Sequence, residues 1–336
     1  MHKPILTLAT CILLIGAAHA PSSISAEERE TLRDRIRERR AQPAERAVAS
    51  DIRTPGNHTR TLVHDGLERR YLVHVPKGYD ASKPTPLVIA LHGGGGNMEI
   101  QANDTYYGLI SKSDRSGAIV AFPNGYSRRK SGKLATWNAG ECCGAARDEN
   151  IDDVGFIRAV LGQLRKDLNV DTKRMFATGM SNGGMMSYRL ACEMPGVFRA
   201  IASVAGTDNT QTCKPKSSVS VLHIHAKDDT HVLFEGGAGP DAFRSAVYDF
   251  ASVPSSISKW IELNRCASQS KRVLDKTGAY CDVYSPCNGG AHVQLCVTEN
   301  GGHSWPGGQK PRGSGTPSTA ISATDEIWRF FGLAKS

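Results

Sequence analysis

The chain has 336 residues, 40 % of them hydrophobic and 22 % charged, an ordinary globular composition with enough apolar mass for one large core or two small ones. Its formal charge is +8, and removal of Lys3 with the leader described next would make it +7, a surface that weakly favours anionic polymers. No basic helix interleaved with aromatics and no nucleic-acid motif accompanies that charge, so nucleic acid is not an expected partner.

Residues 1–20 carry Lys3, an apolar stretch over 5–17 and then Ala18-His19-Ala20, the n-region, h-region and cleavage site of a signal peptide cut after Ala20. The apolar run is shorter than the roughly 20 residues that span a bilayer. Cys11 precedes the main apolar run instead of following it, so neither a membrane anchor nor lipid attachment is expected. Eight cysteines remain beyond the leader: Cys142, Cys143, Cys192, Cys213, Cys266, Cys281, Cys287 and Cys296. An exported chain matures where disulfides persist, and the even count fits four bridges. A structural zinc site would need paired thiolates of the C-x-x-C kind, and none occurs, so no metal is expected.

Residues 26–46 mix Arg and Glu, with only Leu32 and Ile36 as large apolar side chains. Such a stretch buries little, and residues 21–60 are expected to form a charged linker or helical tether ahead of a catalytic domain over 61–336. From Arg70 onward short apolar runs alternate with helical periodicity. Strands are predicted at 71–75, 87–91, 119–122, 175–178, 200–204 and 219–224, and helices at 151–168 and 184–192. The alternation implies a mostly parallel central sheet with helices on both faces. Near the C-terminus, 281–284 and 293–297 flank Asn288-Gly289-Gly290, which predicts a hairpin with Cys281 facing Cys296 and Cys266–Cys287 beside it. Residues 325–331 close the domain as a short amphipathic helix, and the glycine-rich 236–239 and 307–316 read as loops.

The strongest local motif is Gly179-Met180-Ser181-Asn182-Gly183, which follows an apolar strand and precedes helical sequence. This is G-x-S-x-G in the strand–turn–helix setting that raises a serine on a strained turn, where flanking residues without Cβ let the chain pass close to itself. The second is His92-Gly93-Gly94-Gly95-Gly96, directly after the strand at 87–91. A glycine there lets a backbone amide face a developing oxyanion, so the hole is assigned to the amides of Gly94 and Asn182. A phosphate-cradling loop would close with Gly-Lys-Ser/Thr, whereas Asn97-Met98 stands in that place. A hydroxyl nucleophile needs a base and the base needs an acid, in the chain order Ser, Asp, His. The strand at 219–224 ends in His225-Ala226-Lys227-Asp228-Asp229, and both aspartates are candidates for the acid. His303, in Gly301-Gly302-His303-Ser304-Trp305-Pro306-Gly307, is the candidate base. His92, His223 and His225 read as strand-end or loop-supporting residues. These motifs together define the α/β-hydrolase fold class.

With Trp137-Asn138-Ala139-Gly140, Cys142-Cys143-Gly144 and Asp153-Val154-Gly155-Phe156 added, the chain resembles the polyhydroxybutyrate depolymerase family of secreted esterases, which includes feruloyl and acetylxylan esterase-like members and poly(aspartic acid) hydrolases. The resemblance covers roughly 61–331 and places Asp229, ahead of Asp228, as the acid. It also implies that Cys142 or Cys143 is bridged to Cys192, and that Trp137 and Trp305 line an acyl pocket. The implied activity is acyl transfer by Ser181, His303 and Asp229 without metal or cofactor, on esters of a polymer or oligomer. Dedicated depolymerases of insoluble polyester usually carry a further polymer-binding module, and none is expected here, so a soluble polymer or oligomer, or a feruloyl or acetyl ester on plant polysaccharide, is the expected substrate. Two rivals stand: cleavage of amides in an anionic polymer such as poly(aspartic acid), and non-catalytic polymer binding on a hydrolase scaffold.

Overall fold

In the computed structural model, residues 51–239 and 249–334 are described; the expected leader and the charged stretch 26–46 lie outside them. The strands are β1 (Gly56–His64), β2 (Leu67–Val75), β3 (Thr85–Leu91), β4 (Ile119–Pro123), β5 (Val170–Met180), β6 (Ala200–Val204), β7 (Ser220–Ala226), β8 (Ser270–Lys276), β9 (Ala279–Tyr284) and β10 (Val293–Thr298). The helices are α1 (Met98–Gln101), α2 (Asp104–Tyr107), α3 (Leu109–Ser116), α4 (Gly144–Asp148), α5 (Asp153–Asp167), α6 (Asn182–Glu193), α7 (Val253–Leu263) and α8 (Ala323–Phe330). All ten strands join one sheet in the order β1-β2-β4-β3-β5-β6-β7-β10-β9-β8.

The six strands from β4 to β10 run parallel, and the flanking β1–β2 and β9–β8 pairs are antiparallel to their neighbours. A parallel strand is covered on both faces, which is why β6 and β7 are buried along their whole length. Alternate residues of β3 serve opposite cores. Leu87, Ile89 and Leu91 pack with α5, α6 and α7, while Val88 and Ala90 pack with α3 and α8. The alternation of strand and helix in the sequence thus delivers the expected α/β sheet, and the domain is an α/β-hydrolase.

The folded region reaches back past residue 61, where the sequence reading began the domain. β1 starts at Gly56 and pairs with β2 in unbroken register, and Ile52 is buried against the α5 side of the sheet. At the other edge the predicted hairpin is present, with Cys281 and Cys296 as direct cross-strand partners joined by a disulfide. Cys266 is joined to Cys287 as expected. One pairing needs correction: Cys192 at the end of α6 is bonded to Cys213, and Cys142 to its neighbour Cys143. Cys213 lies in the loop after β6, a placement that the family resemblance did not indicate.

Candidate active site

Parallel neighbours end at the same edge of a sheet, so the loops leaving β3, β5, β7 and β10 emerge side by side. Those loops carry His92–Gly96, Ser181, Asp229 and His303 respectively. In open α/β sheets this carboxyl edge is where ligands bind.

Ser181 has φ +55° and ψ −124°, a left-handed conformation that costs a residue with a side chain of order 1–3 kcal/mol. The turn is held because the Ser181 amide donates to Val204 O (2.8 Å) and its carbonyl accepts from the Met185 amide (2.9 Å). Glycine is required beside it. A Cβ on Gly179 would stand 2.7 Å from Leu91 O, and one on Gly183 would collide with the carbonyls of Leu91 and His92. The serine side chain is part-exposed, whereas Asn182 behind it is buried.

Asn182 is locked by a reciprocal pair with the Trp137 backbone. The Trp137 amide donates to Asn182 Oδ1 (2.7 Å), and Asn182 Nδ2 donates to Trp137 O (3.0 Å). The same tryptophan donates Nε1–H to His92 O (3.0 Å) and packs on the His92 ring. His92 in turn donates Nδ1–H to Gly93 O (2.8 Å) and accepts the Gly125 amide at Nε2 (2.9 Å), which fixes it as a neutral ring. Burial pushes the His92 imidazole down to about 4, partly opposed by its bond to Gly93. These contacts set the glycine loop against the serine turn: Cβ atoms built on Gly93 and Gly94 would lie 3.6 Å from those of Ser181 and Asn182. Gly95 and Gly96 have their amides on Ala135 O and Gly93 O.

Trp137 and Trp305, which the family resemblance places in an acyl pocket, are both buried side chains. Their exposures are 0 % and 2 %, so neither ring offers a face to a solvent-filled cleft. Trp137 ties the glycine loop to Asn182, and Trp305 donates to Thr324 Oγ1 (3.0 Å) and packs at right angles to the Tyr107 ring.

The two aspartates separate cleanly. Asp229 is fully buried at its side chain and accepts His303 Nδ1–H at 2.8 Å through Oδ2. Its Oδ1 accepts the amides of His231 (2.8 Å) and Val232 (2.9 Å), and His225 Nε2 stands 3.3 Å from Oδ2. Burial alone would raise this carboxyl, but the hydrogen bonds and charges of His225 and His303 outweigh it and hold Asp229 well below the usual carboxylate range. Asp228 is exposed and instead accepts the amides of Gly302 (2.8 Å) and Gly301 (3.3 Å), bracing the loop that presents His303. His303 keeps a 21 % exposed side chain, its ring 4.7 Å from that of His231.

Two supports were not found from the sequence. Arg69 forms a buried ion pair with Asp153 (2.6 Å), and the other Asp153 oxygen accepts the Asn138 amide (2.8 Å), anchoring the Trp137 loop. Arg312, from the loop after His303, reaches the glycine loop, where its Nη1 would lie 3.2 Å from a Cβ on Gly95. Among the described residues, Cys281, Cys296 and Glu326 are the one group close enough to share a metal ion, and its sulfurs are bonded to each other.

Sheet order and the serine turn at its carboxyl edge define an α/β-hydrolase. The chain belongs to the esterase PHB depolymerase family, whose sequence profile matches residues 69–260, and is a carboxylic ester hydrolase. It is 30 % identical over 270 residues to feruloyl esterase C of Emericella nidulans, covering 79 % of this chain and 84 % of that one. It is 30 % identical over 240 residues to feruloyl esterase B of Piromyces equi, covering 70 % of this chain but only 42 % of that longer protein. Among solved structures, the acetyl xylan esterase from Aspergillus awamori superposes with a TM-score of 0.56 at 13 % identity, covering 82 % of this chain and 99 % of that one; this likeness concerns the fold. No helix of the described residues is long and apolar enough to cross a membrane.

Proposed function

We propose that the protein is an exported serine esterase working through an acyl-enzyme. Ser181 attacks the ester carbonyl, and His303 takes its proton and returns it to the leaving alcohol. Asp229 holds the imidazole in the Nδ1–H tautomer, which leaves Nε2 as the base. The amides of Gly94 and Asn182 receive the oxyanion, and water then releases the acid. The observation that carries this reading is the 2.8 Å bond from His303 to a buried Asp229 that also accepts two backbone amides, at the sheet edge that also presents the strained Ser181.

The substrate class follows from the family and its named relatives: feruloyl or acetyl esters on a polysaccharide, or hydroxyalkanoate oligomers. A second reading, cleavage of amides in an anionic polymer such as poly(aspartic acid), is favoured by Arg312 beside the glycine loop. Hydrolysis of a p-nitrophenyl ester, methyl ferulate, hydroxybutyrate oligomers and poly(aspartic acid) is measured with wild type and Ser181→Ala. Strong turnover by wild type alone supports the scheme and names the substrate. Turnover by neither favours a binding protein on the same scaffold. Poly(aspartic acid) cleavage that falls steeply with added salt favours the anionic substrate, because screening weakens the attraction. Export is tested by the N-terminus of the mature protein, expected at Pro21.

A further inference from the structure

Three buried side chains behind Asp229 have no place in the acyl-transfer scheme: Tyr188 on α6, and His223 and His225 on β7. They form an unbroken chain of contacts. Tyr188 OH is 2.8 Å from His223 Nδ1, and His223 Nε2 is 3.0 Å from His225 Nδ1. His225 Nε2 is 2.8 Å from Val232 O and 3.3 Å from Asp229 Oδ2. The two imidazoles, two residues apart on one face of β7, stack with a 2° tilt.

The direction of the chain is fixed by its ends. Val232 O and the Asp229 carboxylate can only accept, so His225 Nε2 carries hydrogen. A neutral imidazole has one N–H, so His225 Nδ1 accepts and His223 Nε2 must donate to it. His223 Nδ1 is then an acceptor, and the Tyr188 hydroxyl is the donor that satisfies it. Burial keeps His223 neutral. Every N–H and O–H in the chain therefore points toward Asp229. Reversal would set the His225 lone pair against a carbonyl and a carboxylate.

We propose that Tyr188, His223 and His225 are positioning residues: a one-way hydrogen-bond relay that delivers an N–H to Asp229 Oδ2, the oxygen that also receives His303. The relay orients the carboxylate and limits how much of its charge His303 feels. Because Tyr188 lies on the helix that begins after Ser181, it also links the nucleophile's helix to the acid. This inference rests on the catalytic roles proposed above. Other groups face the same site. His231 packs on His303, and Asp228 binds the amides of Gly301 and Gly302. Asp208 stands behind Tyr188, bonded to Trp260 and to Lys259.

Two measurements test the relay. Nitrogen-15 NMR of selectively labelled histidine in the resting protein reads the tautomers, with His223 and His225 assigned by substitution; both are expected as Nε2–H. An Nδ1–H form or an imidazolium at either ring near neutral pH overturns the relay, whether or not any ester is cleaved. For catalysis, His225→Leu removes the N–H at Asp229, and His225→Gln keeps one in its place. His225→Leu is expected to lose about tenfold in kcat, the equivalent of one charge-assisted hydrogen bond. The acid limb of its pH–rate profile should move to higher pH, because Asp229 then offers more charge to the His303 imidazolium. His225→Gln should restore both, and Tyr188→Phe, which keeps the shape, should shift the limb the same way by less. An unmoved limb in a folded His225→Leu and in Tyr188→Phe would reduce the three residues to packing. Full activity of Ser181→Ala would remove the acyl-enzyme scheme and leave the tautomer result standing.

Discussion

Replacing Asp229 by Asn changes one atom and should nearly abolish turnover. Oδ1 accepts two backbone amides, His231 and Val232, which only an oxygen can satisfy. The new NH₂ must therefore occupy the Oδ2 position and point at His303 Nδ1, 2.8 Å away. Two donors cannot share that contact, so His303 moves its proton to Nε2 and loses the lone pair that would deprotonate Ser181. A wrong tautomer of this kind costs roughly 10⁴-fold in kcat, or about 5.5 kcal/mol of transition-state stabilisation. Asp228→Asn is the control. Asp228 is exposed and bonds the Gly301 and Gly302 amides, and the amide oxygen of Asn can still accept, so a loss of less than about tenfold is expected. The assay is steady-state hydrolysis of the best ester in the substrate panel near neutral pH, with circular dichroism to verify folding. Retention of a tenth or more of kcat by Asp229→Asn, or an equal fall in Asp228→Asn, would refute the assignment of the acid.

Trp137→Phe removes the donor from the buried His92 carbonyl, which should lower unfolding stability by about 1–3 kcal/mol and depress kcat. A change in KM alone, with stability intact, would restore the tryptophan to a substrate pocket. Serine at both Cys281 and Cys296 opens a closed segment with a separation of 15 residues, a loss of about 3 kcal/mol in urea unfolding; no change would contradict the bridge. Burial holds His92 at about 4 in the folded protein against 6.5 when free. The unfolded chain therefore takes up a proton there first, and stability, flat above pH 6.5, should fall by on the order of 3 kcal/mol as pH drops to about 4. His223, also held low by burial, adds in the same direction. Urea midpoints that stay level across that window would contradict the assignment of neutral buried rings.

The central strands were legible because a parallel strand buried on both faces has to be an apolar run, and β6 matches its predicted bounds residue for residue. The edge strands were not. β8 is exposed along almost its whole length, with residues such as Lys271 and Arg272, and β1 buries only His58 fully; both are held by ladder pairing with a neighbour. The stretch Asp171 to Arg174 of β5 is polar and extends the strand beyond its apolar signal. α7 escaped the sequence reading although Ser252 caps it and a proline follows. Gly179, Ser181, Gly183 and His303 stood out as candidates because each belongs to a short local motif. Trp137 did not, since an aromatic beside a site reads the same whether its indole faces substrate or a buried carbonyl. The partner of Cys192 was also hidden, because disulfide pairing is set by the route of the loop after β6 and not by spacing.

Whether Ser181 is the nucleophile can be read by reaction with a fluorophosphonate followed by peptide mass spectrometry. A single adduct on the peptide containing Ser181, absent in Ser181→Ala and formed more slowly in His303→Ala, is the expected result. Label on another residue, or undiminished labelling of Ser181→Ala, would contradict the acyl-enzyme scheme.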